Sequence, residues 1–87
     1  MTVSVFIQTL NEEDNLPRCL ASLGFSDDIV VLDSFSSDRT EEVARAAGAR
    51  FFQREYEGRA PNQNWAVENI AFKHPWVYYS DADEVVT

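Results

Sequence analysis

Positive charge is scarce in this chain. Its 87 residues include 7 Lys or Arg against 15 Asp or Glu, a formal net charge of -8. Nucleic-acid binding leaves a basic face as its footprint, so this balance argues against such a partner. Cysteine is scarcer still. Cys19 stands alone, which excludes an internal disulfide and fits a reducing compartment. No apolar run approaches the roughly 20 residues that cross a bilayer, and no basic-then-apolar leader opens the chain. These absences read as a soluble, cytoplasmic protein. Only three glycines and three prolines occur, with no low-complexity linker and no repeat. What remains is an ordinary globular composition, 45% apolar and 25% charged. It suffices for one small domain around one core, residues 1–87.

Val3 to Gln8 is β-branched and aromatic, the pattern of a short buried strand. Polar Thr9-Leu10-Asn11-Glu12 breaks it. Leu16, Leu20 and Leu23, with Cys19 alongside, mark one face of a helix running to Leu23. Pro17 belongs in a first turn, so that helix is expected to start near Asp14 or Asn15. Between Asp28 and Asp33, Ile29-Val30-Val31-Leu32 reads as a parallel strand buried on both faces. Asp38 is expected to cap a second helix, with Glu41 completing a capping box. Val43, Ala46 and Ala47 would face inward there, and Gly48 would end it. Ala49 to Gln53 is a third strand. Pro61 suits the first position of a third helix, whose inward side is Ala66, Val67, Ile70 and Ala71. Trp76 to Ser80 is the fourth strand. The order β-α-β-α-β-α-β predicts a three-layer αβα parallel sheet, Rossmann-like, with right-handed crossovers.

The fourth strand ends abruptly in acid: Asp81, Asp83 and Glu84 lie within four residues. Carboxylates that close repel unless a cation or hydrogen-bond donors neutralise them. Oxygen-only ligands on a short span suit Mg²⁺ or Mn²⁺. A solvated acidic turn explains the stretch equally well by itself. Other polar clusters share its location, however. Thr9, Asn11 and Glu12 follow the first strand, and Asp33 and Ser36 follow the second. Ligands of such sheets sit beyond the carboxyl ends of the strands, where strand order reverses. Gln63 and Asn64, in the first turn of the third helix, are expected at the rim. His74, before a proline at a strand start, falls at the wrong end and reads as structural.

Four ordered motifs then stand out: Thr9-Leu10-Asn11-Glu12, Asp33-Ser34-x-Ser36-x-Asp38-Arg39-Thr40, Asn62-Gln63-Asn64-Trp65-Ala66 and Asp81-Ala82-Asp83-Glu84. Together they resemble the family 2 glycosyltransferases, in particular a bacterial branch similar to lipopolysaccharide core β-1,4-glucosyltransferases. The resemblance implies a GT-A fold and inverting transfer of a sugar from a nucleotide-sugar donor, a UDP-sugar in the first instance. It implies that Thr9, Leu10, Asn11, Glu12, Asp33, Ser36, Gln63, Asn64, Asp81 and Ala82 hold the nucleotide. Asp83 would ligate a divalent ion, Mg²⁺ or Mn²⁺, on the diphosphate.

The sequence departs from that pattern in three places. Gln8 stands where the family usually has proline, and Phe35 where a glycine is common. The chain also stops at Thr87, whereas family members continue into an acceptor site and a catalytic carboxylate. The expectation is therefore a nucleotide-binding portion, truncated before the acceptor half and inactive alone. A glycan or lipid-linked acceptor, and a place at the inner face of the membrane, belong to a full-length form. The rival reading is a non-catalytic interaction domain that forms homo-oligomers through the strand 76–80 edge. A phosphoryl-transfer receiver is disfavoured, because the only lysine, Lys73, lies before the fourth strand.

Overall fold

The structure, a computed structural model, describes residues 3–85. Four strands and three helices alternate: β1 (Val3–Thr9), α1 (Leu16–Ala21), β2 (Ile29–Asp33), α2 (Thr40–Ala46), β3 (Arg50–Gln53), α3 (Arg59–Asn69) and β4 (Trp76–Asp81). All strand pairings are parallel, in the order β3-β2-β1-β4. The chain steps outward from β1 to β2 and β3, then returns across β1 to lay down β4. A right-handed crossover in the reversed direction must put its helix on the opposite face. Accordingly Val5, Ile7 and Val31 pack with α1 and α2, whereas Phe6, Val30 and Leu32 pack with α3. This two-sided burial is why β1 and β2 are apolar without alternation. The expected three-layer αβα sheet is the fold observed.

The helices depart from the sequence pattern in detail. In α1, Pro17 occupies the second helical position, and the helix ends two residues before the buried Leu23. Asp38 forms no capping box with Glu41. Its carboxylate instead accepts the Thr40 N–H and the Glu13 N–H, while Glu41 pairs with Arg45. Thr40 and Ala44 face inward rather than Ala46 and Ala47, because the Thr40 hydroxyl is held by the Glu12 N–H at 2.9 Å. That bond fixes the rotation of α2. Helix α3 starts at Arg59, so Pro61 is its third residue, and Gln63 and Asn64 move beyond the first turn. Ala66 and Ile70 are buried as expected, but Val67 is 59% exposed and Ala71 lies beyond the helix. Asn62 takes the inward place one turn before Ala66, and its amide N and O are buried without a partner among the described residues.

Opposite the polar loops, the amino ends of the strands are tied by Asp28. This buried carboxylate accepts the Ser4 hydroxyl (2.6 Å), the Lys73 N–H (2.7 Å) and both ends of the Arg50 guanidinium. Burial pushes its pKa up, yet these donors outweigh that effect and hold it below the ordinary 3.8. Beside it, Asp27 receives His74 and Lys73 and is lowered to about 2. His74 is thus structural. Replacing Asp28 with Ala leaves Ser4 and Arg50 without their partner and is expected to cost about 2–4 kcal/mol in urea unfolding. For both aspartates the folded pKa is depressed. Their stabilisation is present above the ordinary 3.8 and is lost as the pH falls through the depressed folded values, about 2 for Asp27. Acid unfolding of wild type against Asp28→Ala measures the Asp28 share.

Candidate functional site

Reversal of strand order between β1 and β4 leaves a crevice beyond their carboxyl ends, the place where ligands of such sheets bind. A cleft of about 510 Å³ opens there. Gln8, Thr9, Leu10 and Glu12 line it from β1 and the following loop, Ser34 from the end of β2, and Asp81 from the end of β4. Tyr56 and Arg59 close it from the β3–α3 connection.

The floor is organised by Asp33. Fully buried, its carboxylate accepts the Thr9 hydroxyl (2.6 Å), the Ser36 N–H (2.7 Å), the Ser36 hydroxyl and the Gln53 amide (3.3 Å). The Ser36 oxygen in turn accepts the Asn11 N–H at 2.7 Å, and Asn11 Oδ1 accepts the Ser37 N–H at 2.8 Å. The loops after β1 and β2 are therefore stitched together from beneath. Stitching of this kind demands unusual backbone. Asn11 and Phe35 both adopt the left-handed region, at φ 54° and 60°. Asparagine tolerates it, but a bulky aromatic does not without cost.

The β4 end is built differently. The Asp81 N–H donates to Glu84 Oε1 (2.8 Å) and the Glu84 N–H returns to the Asp81 carbonyl (3.0 Å), which closes a tight turn. Ala82 is packed into the α1-side core. Asp83 is exposed, with no hydrogen bond or ion pair among the described residues. Asp81 pairs with Arg59, whose carbonyl accepts the Gln8 amide at 3.2 Å. Behind the turn, the Cys19 thiol lies 3.6 Å from the Asp81 carbonyl. Burial raises the Cys19 pKa; the Ser80 hydroxyl lowers it in part, while the charges of Glu84, Asp83 and Glu12 raise it further. It remains a neutral core thiol.

Thr9, Leu10, Glu12 and Asp81 thus meet in the cleft, as the sequence led us to expect. Asn11, Asp33 and Ser36 are outside its lining and hold the loops that form it, and Gln63 lines a small adjoining crevice with Gln8 and Arg59. Asn64, Ala82 and Asp83 are outside the lining. Tyr56 and Arg59 escaped sequence reasoning; the available signal was a lone arginine directly after Gly58, whose φ of 117° admits glycine readily. Among the described residues no group of three or more His, Cys, Asp or Glu is placed to hold a metal. The donors that are present, Asp81 and Asp83 in one turn, fit an ion that takes one or two carboxylates and completes its shell with phosphate and water.

This sheet, with its cleft at the reversal of strand order, is that of the GT-A glycosyltransferases. Residues 4–87 match the family described as Glycosyl transferase family 2, and the chain belongs to that family. It is 36% identical to the lipopolysaccharide core biosynthesis glycosyltransferase LpsC of Rhizobium meliloti, over 97% of this chain and 32% of that protein. Among solved structures it resembles S. aureus TarS 1-349 with a TM-score of 0.80 and 25% identity, covering 98% of this chain and 28% of TarS. It also resembles glucosyl-3-phosphoglycerate synthase from Mycobacterium tuberculosis in complex with Mn²⁺, UDP and glucosyl-3-phosphoglycerate. There the TM-score is 0.77 and the identity 29%, over 93% of this chain and 33% of the synthase. The chain thus spans about a third of the length of these proteins.

Phe35 gives the site's local test. Phe35→Gly should relieve the left-handed strain and raise stability by about 1 kcal/mol, seen as an upward shift of the thermal midpoint. A drop would mean that the ring, 60% exposed, makes contacts worth more than the strain.

Proposed function

We propose that the cleft holds the nucleoside diphosphate of a sugar donor, a UDP-sugar, together with a divalent cation. On this reading the chain is the donor-binding part of an inverting glycosyltransferase of lipopolysaccharide or other cell-surface glycan synthesis. The observation that carries it is the meeting of the β1 loop with the Asp81 carboxylate of β4 at the strand-order reversal. The synthase complexes with UDP and Mn²⁺ or Mg²⁺ support the ligand, and LpsC supports the pathway class. Exposed Leu10 offers an apolar surface to the base, and Glu12 an acceptor for ribose hydroxyls. Asp33 and Ser36 act through the loops they hold; a direct bond from Asp33 to the base requires release of one of its four donors. Asp83 and Asp81 would hold the cation at the diphosphate. When bound, that ion spreads the leaving group's charge as a Lewis acid.

None of the described residues is assigned as the base that activates an acceptor, and the glycan or lipid-linked acceptor belongs with a longer form. No helix among the described residues is long and apolar enough to cross a membrane; action in the cytoplasm, at the inner membrane face, is part of the proposal. Titration calorimetry with UDP provides the test. Binding is expected to strengthen at least tenfold with Mn²⁺, and Asp83→Ala should remove that gain, on the order of 1.4 kcal/mol or more. Binding indifferent to both the metal and Asp83 would sink the metal assignment.

One observation favours a second, non-catalytic reading, a homo-oligomer. Strand β4 lies at the sheet edge, and Trp76 upon it is 74% exposed. Exposed apolar edges pair with other strands. If copies associate there, light scattering should show a dimer at high concentration that Trp76→Lys returns to monomer.

A further inference from the structure

Among the described residues Arg59 is the single cationic side chain lining the cleft, and its guanidinium is paired with the Asp81 carboxylate. The two side chains are 61% and 50% exposed, and a pair this open to water holds with little energy. Its surroundings make it exchangeable in a particular way. Backbone at Arg59 is fixed, because Gln8 Nε2 bonds its carbonyl and α3 begins there. The guanidinium, at the end of a flexible stem, is free to change partner. Asp81 offers oxygen to a hard cation, and a diphosphate offers a guanidinium more acceptor oxygens than one carboxylate does. Arg59 and a divalent cation therefore compete for Asp81, whereas a diphosphate and Asp81 compete for Arg59.

We propose that Arg59 couples the two ligands of the cleft. In the empty cleft it neutralises Asp81; a bound diphosphate draws the guanidinium away, and the freed carboxylate is open to the cation. The inference rests on the donor-site reading above and makes Arg59 a ligand-binding residue. Coupling is reciprocal by linkage, so each ligand prepares the site for the other. Removing the guanidinium must then have opposite effects on the two ligands taken singly, a signature that loss of structure cannot give.

Two titrations of the whole chain test this, in wild type and Arg59→Gln. One follows UDP in the presence of EDTA by calorimetry, and the other follows Mn²⁺ without nucleotide by the electron paramagnetic resonance of the free ion. Arg59→Gln should weaken metal-free UDP binding and tighten nucleotide-free Mn²⁺ binding, each by about fivefold or more, the lower end of usual couplings. Arg59→Lys, which keeps the charge without the fork, should fall between. An unchanged thermal midpoint in Arg59→Gln excludes misfolding. The proposal is overturned if both affinities move in the same direction, or if neither moves. Wild type that binds UDP neither with nor without Mn²⁺ would overturn the donor-site reading itself; tightened Mn²⁺ binding in Arg59→Gln would still support competition for Asp81.

Discussion

A carboxylate without access to water must find its hydrogen bonds inside the chain, and Asp33 finds four donors there. Those donors come from β1, from the loop after β2 and from β3, so one side chain collects three neighbouring strand ends. Everything above it follows from this collection. Thr9 is turned down toward Asp33, which leaves Leu10 and Glu12 to face the cleft. Ser36 is drawn inward and presents its oxygen to Asn11, which positions the β1 loop a second time. Uncompensated burial of a charge costs several kcal/mol, and that cost enforces the geometry: no arrangement of these loops that strands Asp33 can compete.

The opposite end of the sheet uses the same device for a different purpose. Asp28 gathers Ser4, Arg50 and the backbone of Lys73, which fixes where the chain enters β4. Entry and exit of the central strands are thereby both determined by buried acids. Between them the sheet is apolar on both faces. An acidic chain needs donors more than it needs further charge, and hydroxyls and backbone amides supply most of them here. The cleft is where that supply runs short: Asp83 has no partner among the described residues, and Asp81 has only an exposed arginine.

The sheet was legible in the sequence because its signals are redundant. Continuous apolar runs, polar breaks after each and helices of short length all lead to one parallel topology. The location of the cleft followed from topology as well. The rotation of α1 was legible, since Leu16, Cys19, Leu20 and Leu23 are buried as read, but that of α2 was not, and that of α3 only in part. Capping by Asp38 and Glu41 is a local pattern, but the Glu12–Thr40 bond comes from 28 residues away and decides which side of α2 faces inward. For α3, Ala66 and Ile70 were read correctly, whereas Val67 was misplaced because a polar residue, Asn62, completes the inward row. Within the site, Thr9, Glu12 and Asp81 were found through position after a strand. Tyr56 sits in a loop whose path no periodicity encodes, and Arg59 opens the helix that this loop leads into, so both were missed.

The two faces of the sheet are not built to the same standard. Among the described residues the side of α1 and α2 gathers ten buried residues and the side of α3 five, with the unpartnered amide of Asn62 near the latter. Local opening free energies follow such differences. Backbone amides of α3 should therefore exchange with solvent before those of α1. Since Arg59 and Gln63 ride on that helix, the Arg59 wall of the cleft belongs to the softer half of the molecule, and the Thr9 to Glu12 wall to the harder one.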